Sequence, residues 1–335
     1  MPLSAVAADR LIDLGWSAFF SDQVAADEAD LVPVRITSVH RARLSGMTAA
    51  GPVELTLPPH TVTGDYAVGD WVLADPEMWL LRRLLDRKTV LARRVGDGSI
   101  QLSGSNIDTL FIVTSCNADF NIARLERYLA FANQAGTQPV VVLTKADTAE
   151  DANTFRDAAL KLQRDLTVLI TDPRQHDAAE VLRPWCGSGQ TVSLVGSSGV
   201  GKSTLVNTLS GPGLAPQLTG GIREQDAKGR HTTTARSLHP IANGGWVMDT
   251  PGIRTLHISE MAEGLDEVFS EISGLTCKFR DCTHEHEPGC AVRAAIADGS
   301  LDPERLARWR KLQEENAAAS QSRENGSGRP GRRGR

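Results

Sequence analysis

Alternation of apolar and polar residues dominates the first third of the chain. Val32–Val39 (VPVRITSV) alternates and leads into HRARL, and PVELTL alternates again between Gly51-Pro52 and Pro58-Pro59. GDWVLAD follows a turn signal, and MWLLRRLL and KTVLARRV come next. A period of two marks strands with one buried face. About five such strands over residues 32–96, punctuated by Gly and Pro, predict a small β-barrel, and the oligonucleotide-binding (OB) fold is one such barrel. Upstream, residues 1–31 form an N-terminal extension that is loosely patterned and reads as helical only at Arg10–Asp13.

The pattern changes at Asn106. Asn106–Ser115 (NIDTLFIVTS) and Pro139–Leu143 (PVVVL) are continuous apolar runs, as in parallel strands covered on both faces. Between them Ile122, Leu125, Tyr128 and Leu129 recur at helical spacing, with Asn121 as N-cap and Gly136 as stop. Thr154–Leu166 reads as a helix, Thr167–Ile170 as a strand and Gly245–Met248 as another. Strand and helix keep alternating, which predicts a doubly wound α/β domain over residues 97–258. Helical spacing then covers Glu260–Ile272, Ala291–Ala297 and a stretch from the N-cap Asp302 and Pro303 to about Asn316. Residues 259–316 are thus a small helical domain, and residues 317–335, rich in Ala, Ser, Gly and Arg, are predicted to be a disordered basic tail.

Composition bounds the class. The 335 residues are 41% apolar and 23% charged, ordinary for a soluble globular chain. No run approaches the ~20 apolar residues of a membrane span. The N-terminus carries Asp9 and Asp13 and lacks the basic flank of a secretory signal. Five cysteines, an odd count with three clustered late, favour a reducing compartment and a metal site over disulfides. A cytoplasmic protein with no membrane contact is expected. The net charge of −5 hides a gradient: residues 1–31 hold six acids against Arg10, and residues 303–335 hold nine Lys/Arg against four acids. A basic end suggests a polyanion contact, although a solvated helix face with a loose tail reads the same. The barrel segment is mildly basic, with nine Lys/Arg against six acids. RNA binding and a purely structural, SH3-like barrel both fit it.

The chemistry gathers in short motifs. Thr191–Thr204 (TVSLVGSSGVGKST) matches G-x-x-x-x-G-K-[ST] between a strand and a helix. Its residues Gly196, Ser197, Ser198, Gly199, Val200, Gly201, Lys202, Ser203 and Thr204 can curl backbone N–H groups around phosphate. Lys202 can reach the β- and γ-phosphates, and Ser203 can bind Mg²⁺. Thr144-Lys145-Ala146-Asp147 follows the strand PVVVL. The Asp147 carboxylate can accept from the ring N–H and amine of guanine, a pairing that adenine cannot make, while the Lys145 stem lies along the base. Asp249-Thr250-Pro251-Gly252 follows another strand: Asp249 can hold Mg²⁺ through water, and the Gly252 N–H can bond the γ-phosphate. Between these lies Gly229–Thr234 (GRHTTT), where one of Thr232–Thr234, taken as Thr233, can bind Mg²⁺ as a switch. The base-reading motif precedes the phosphate loop, so the sheet is circularly permuted and the DTPG switch leads straight into the next domain. That domain carries Cys277, Cys282, His284 and Cys290 in C-x4-C-x-H-x5-C, the donor set of a closed structural Zn²⁺ site.

With barrel, permuted motifs and Cys/His cluster together, the chain resembles the ribosome small-subunit-dependent GTPase A (RsgA) family. The matching text is TKAD, GSSGVGKSTLVN, GRHTTT, DTPG and CKFRDCTHEHEPGC, within Val32 to Asn316. The resemblance implies an α/β fold: a circularly permuted P-loop GTPase domain with an N-terminal OB-fold barrel and a C-terminal helical zinc-binding domain. It implies one Zn²⁺ per monomer, Mg²⁺ with GTP, a monomeric chain, and GTP hydrolysis coupled to late maturation of the 30S subunit through binding of 16S rRNA. It also points to His231 in the switch as the group that orients water, because Ile253 stands where many GTPases place Gln. Catalytic work is thereby assigned to His231 and Lys202. The chain departs from the family at the second base-contacting loop, where Ile170-Thr171-Asp172 stands in place of a usual Ser. Two other readings are a nucleotide-gated RNA-binding assembly factor with incidental turnover, and a P-loop ATPase or small-molecule kinase, which TKAD opposes.

Overall fold

The computed structural model describes residues 5–94, 99–175, 178–211, 237–249 and 261–326. His231, Thr233, Gly252 and the side chain of Asp249 lie outside the described residues.

The N-terminal extension packs. Helix α1 (Ala5–Asp13) and the short α2 (Ala18–Ser21) bury Leu11, Leu14 and Phe20. Trp16, Phe20 and Trp71 form an aromatic cluster, with Trp16 and Trp71 edge to face at 4.8 Å. The barrel follows as β1 (Val32–Val39), β2 (Leu44–Thr48), β3 (Gly51–Leu55), β4 (Trp71–Ala74) and β5 (Leu81–Leu84). β1 pairs with β2 and β4, β2 with β3, and β4 with β5. A parallel bridge between Thr56 and Leu80 joins the β3 and β5 sides and closes the ring. The result is a five-stranded barrel, the class of fold that the sequence pattern predicted, although its strands are not all those read from the sequence. Its interior is Val34, Ile36, Leu44, Leu55, Val72, Ala74 and Leu81, the inward residues of each strand.

Two strand assignments differ from the sequence reading. β2 has its apolar residues spaced by Ser and Gly and did not stand out as a strand. KTVLARRV forms β6 (Val90–Arg94), which pairs with β7 (Ile100–Ser105) in a separate two-stranded sheet outside the barrel. Asn106 at φ 52° breaks the chain between β7 and β8 (Thr109–Ser115), so the long apolar run is shorter as a strand.

The α/β domain has β8, α3 (Ile122–Gln134), β9 (Gln138–Thr144), α4 (Ala152–Leu160), β10 (Thr167–Ile170), α5 (Ala178–Leu182), β11 (Thr191–Val195), α6 (Lys202–Ser210), β12 (Ser237–Pro240) and β13 (Trp246–Asp249). The strand order is β10-β9-β8-β11-β13-β12, parallel except for β12. β8 and β11 are fully buried strands, in keeping with the continuous apolar run of β8. The Asn121 side chain caps α3 by accepting from Arg124 N at 2.9 Å. α4 stops at Leu160 rather than Leu166, and Asp165 turns the chain at φ 56° into β10.

Barrel and α/β domain share one sheet, because Ser38 of β1 pairs with Ser237 of β12. A buried Arg35 fastens the seam. Its guanidinium donates to Leu14 O in the extension, to Asn106 O at 3.3 Å and to Thr191 Oγ1 at 2.6 Å. Burial pulls its pKa down to about 10, which still leaves it charged at neutral pH. Trp246 Nε1 adds a bond to Asp13 O at 2.8 Å.

Four helices follow among the described residues: α7 (Ala262–Val268), α8 (Ser270–Ser273), α9 (Ala291–Ala297) and α10 (Pro303–Gly326). The single helix expected over Glu260–Ile272 breaks at Phe269. α10 runs past Asn316 into the stretch expected to be disordered, where Ala, Gln, Glu and Arg are good helix formers. These helices share the core of α3, with Leu265, Val268, Phe269, Leu306 and Leu312 in one cluster with Leu125 and Leu129. Gly264 permits the close approach, since a Cβ there would lie 2.0 Å from Ala130 O. A buried ion network locks the same seam: Glu126 of α3 accepts from Arg305 at 2.7 Å and from Arg308 at 2.9 Å, and Arg305 also pairs with Glu271 at 2.6 Å.

Candidate nucleotide site and metal centre

The phosphate loop and the TKAD motif occupy the carboxyl ends of β11 and β9, on either side of β8. In open parallel sheets that crevice is where ligands bind. The loop curls because Gly196, Gly199 and Gly201 all take positive φ. Gly196 is the most constrained: a Cβ would lie 2.1 Å from Val113 O, so the loop lies against the β8 backbone. Val200 is buried and anchors the loop, while Ser198 and Gly199 are exposed. Helix α6 begins at Lys202, so the loop ends on a helix N-terminus that favours anions. Lys202 Nζ donates to Gly196 O at 2.9 Å and to Ser197 O, folded over the loop it belongs to. Ser203 stands in the first turn of α6, part-buried at the end of the loop. Thr204 is exposed beside it.

Thr144 ties the base-reading loop to the phosphate loop, its Oγ1 donating to Val200 O at 2.7 Å. Lys145 then turns the chain at φ 54°, a left-handed position that a residue with a side chain adopts at some cost. The turn places Asp147 in the short 3₁₀ segment Ala146–Thr148 at the mouth of the crevice, half-exposed. The stretch expected to be the second base-contacting loop, Ile170-Thr171-Asp172, lies beside them with Pro173 and Arg174 following it. Thr171 N donates to Leu143 O at 2.9 Å, and Pro173 O accepts from Thr208 Oγ1 of α6 at 2.7 Å. Sequence reading missed Thr208 and Arg174, which belong to no motif, and also Arg124, whose guanidinium donates to Ser197 Oγ.

The structure brings Cys277, Cys282, His284 and Cys290 together, with one potential ligand atom from each within 4.8 Å of the others. Cys277 Sγ and Cys290 Sγ are 3.8 Å apart, and His284 Nδ1 lies 3.5 Å from the first and 3.4 Å from the second. Tetrahedral coordination at ordinary zinc bond lengths needs S–S edges of about 3.8 Å and S–N edges of about 3.6 Å. The residues fit a metal ion of that kind. Burial and the nearby Arg310 charge hold His284 below its ordinary pKa, favouring the neutral ring that a metal needs. Arg310 also donates to His284 O at 2.7 Å, and Glu287 accepts from Thr283 N at 2.8 Å, so α10 and the loop itself shape the site.

The barrel's basic residues are only partly free for a partner. Arg35 is buried, Arg83 pairs with Glu28 at 2.6 Å, Arg87 with Asp70 at 2.7 Å and Arg82 with Asp75 at 3.6 Å. Arg41 and Arg43 are exposed.

A family model described as RsgA GTPase matches residues 84–259. The small ribosomal subunit biogenesis GTPase RsgA of Mesorhizobium japonicum is 64% identical over 94% of this chain and 93% of that protein. The chain belongs to the RsgA GTPase family. The RsgA 2 protein of Vibrio vulnificus is 45% identical over 92% of this chain and 88% of its own length. In fold, the chain resembles YjeQ from Thermotoga maritima, with TM-score 0.64 and 23% identity over 85% of this chain and 98% of that one. It also resembles YloQ, a circularly permuted GTPase, with TM-score 0.59 and 22% identity over 87% of this chain and 97% of that one. As an RsgA GTPase the chain is a GTP hydrolase with a circularly permuted domain. No described helix is long and apolar enough to cross a membrane.

Proposed function

We propose that this GTPase serves late maturation of the small ribosomal subunit in the cytoplasm, as a monomer whose GTP turnover rises when it meets the 30S particle and its 16S rRNA. The observation that carries the reading is the close coupling of base and phosphate loops through Thr144 and Val200, in a chain 64% identical to a GTPase named for that process. Asp147 and Lys145 select guanine. The phosphate-loop amides from Gly196 to Thr204 and the α6 N-terminus hold the phosphates. Lys202, now on Gly196 O and Ser197 O, exchanges those carbonyls for phosphate oxygens and stabilises the charge that develops on the leaving β-phosphate. Mg²⁺ brought with GTP would be held by Ser203, Asp249 and Thr233 and would neutralise charge on the β- and γ-phosphates. Gly252 senses the γ-phosphate through its N–H. His231 orients the attacking water once the ribosomal partner settles the switch. The ion at Cys277, Cys282, His284 and Cys290 is one structural Zn²⁺.

Turnover measured with and without purified 30S subunits tests this. Slow hydrolysis alone and a large rise with subunits are expected; fast hydrolysis that subunits do not change would sink the proposal. His231→Ala is expected to abolish the rise. The apolar Ile253 side chain leaves room for a second reading, nucleotide-gated RNA binding with incidental turnover. RNA affinity compared across GTP, GDP and a non-hydrolysable analogue, beside stimulated turnover, separates the two.

A further inference from the structure

The carboxylate assigned to guanine is held by an arginine that no motif marks. Arg174 Nη2 donates to Asp147 Oδ2 at 2.9 Å. The same guanidinium grips Asp172 with two bonds, Nε to Oδ1 and Nη2 to Oδ2, each 2.9 Å. The Arg174 backbone N–H donates to Asp172 Oδ1 at 3.0 Å, so Asp172 closes the turn and clamps the side chain that leaves it. This grip pulls the Asp172 pKa down to about 2, keeping it ionised at neutral pH. The turn itself is fastened through Thr171 to β9 and through Pro173 to α6.

An exposed ion pair ordinarily contributes little, because two long side chains must be ordered to make it. Here the ordering is already done. A fork-on-carboxylate pair fixes the guanidinium against a rigid turn, and the third bond, to Asp147, requires little further ordering. It also places a cation between Asp147 and Asp172, two acids on adjacent loops. An Asp carboxylate rotates about a broad, nearly two-fold torsion. Guanine recognition needs both of its oxygens turned to one edge of the base. Asp147 Oδ1 accepts no bond from protein among the described residues, and Oδ2 retains a second lone pair beside the Arg174 bond.

We propose that Arg174 is a positioning residue for base selection: by bridging Asp172 and Asp147 it fixes the Asp147 carboxylate in the orientation that reads the guanine edge. The inference rests on the assignment of Asp147 to guanine.

Equilibrium binding of GDP, inosine diphosphate and ADP to the full chain tests it. Inosine diphosphate keeps the guanine ring N–H and oxygen but lacks the amine, so it reads whether both carboxylate oxygens are in place. Arg174→Ala is expected to weaken GDP roughly tenfold, about the worth of one well-oriented hydrogen bond. It should weaken inosine diphosphate less, narrowing the ratio between them, with an unchanged thermal midpoint. In an Asp147→Ala background, Arg174→Ala should change nothing further. GDP binding as tight or tighter in Arg174→Ala would overturn the proposal, since the bridge would then be idle or obstructive. Equal losses for both nucleotides that persist without Asp147 would also overturn it, since Arg174 would then be touching the nucleotide itself. The underlying assignment fails separately, if Asp147→Ala alone leaves the preference for GDP over ADP intact.

Discussion

The nucleotide site and the Cys/His centre are assembled on opposite plans. Asp147, Arg174 and Lys202 stand far apart in sequence and converge because β9, β10 and β11 end at the same edge of one parallel sheet. Their spacing is maintained by protein bonds, Thr144 to Val200 and Thr208 to Pro173. Cys277, Cys282, His284 and Cys290 lie in one short loop and the start of α9, and their thiols and imidazole face one another at ion-binding distances. The first site is thus held by the sheet, whereas the second offers four donors that a metal ion could draw together. The helices around the Cys/His centre have a core of their own: they bury Leu265, Phe269, Leu306 and Leu312 against α3.

This contrast can be broken at several points. Lys202→Ala should lower GTP hydrolysis by at least about a hundredfold, since it removes a preorganised cation from the reacting phosphates. The sheet does not need that lysine, so circular dichroism and thermal midpoint should match the parent; an unfolded variant would deny that the sheet alone holds the site. Glu126→Ala should cost about 3 kcal/mol in denaturant unfolding, because Glu126 is wholly buried and its loss strips a partner from Arg305 and Arg308. A loss below ~1 kcal/mol would mean that the α3–α10 seam is not the main anchor of the metal-bearing region. Asp147→Asn should weaken GDP about a hundredfold and turn preference toward xanthosine diphosphate, whose base presents the complementary edge. Unchanged base preference would remove the loop after β9 from recognition. The smallest global effect is expected from metal removal. Chelation or Cys282→Ser should raise amide exchange within residues 275–290 while moving the main unfolding transition by only about 1–2 kcal/mol. Collapse of the whole chain on chelation would show that the metal centre is not local.

Much of the fold could be read from periodicity. The apolar runs of β8 and β9 announced a covered parallel sheet, and Asn121 and Gly136 bracketed α3 where the structure has it. Misreadings arose where local pattern was ambiguous. The strand at residues 90–94 follows the barrel strands directly in sequence, and only its partner, β7, places it outside the barrel. The far end of α10 has a polar composition that suits an exposed helix as readily as a loose tail. In the nucleotide site, contiguous motifs were legible because phosphate and guanine demand fixed residue types at short spacing. Arg174 was not legible, since its partners lie on a different loop.

The sequence by itself determined which functional groups are candidates for the chemistry: a loop of small residues ending in Lys202 and Ser203 for phosphate, Asp147 for guanine, and three thiols with an imidazole for a metal. Those assignments depend on which functional groups are present and on short separations, and both are properties of the chain. The tertiary structure alone decided which arginines are structural. Arg35, Arg83, Arg87 and Arg305 look alike as charges along the chain, yet burial and pairing commit each to a seam or a partner, while Arg174 is committed to Asp147. A charge has no fixed role until folding sets its distance to an opposite charge and its access to water, and both depend on contacts between residues remote in sequence.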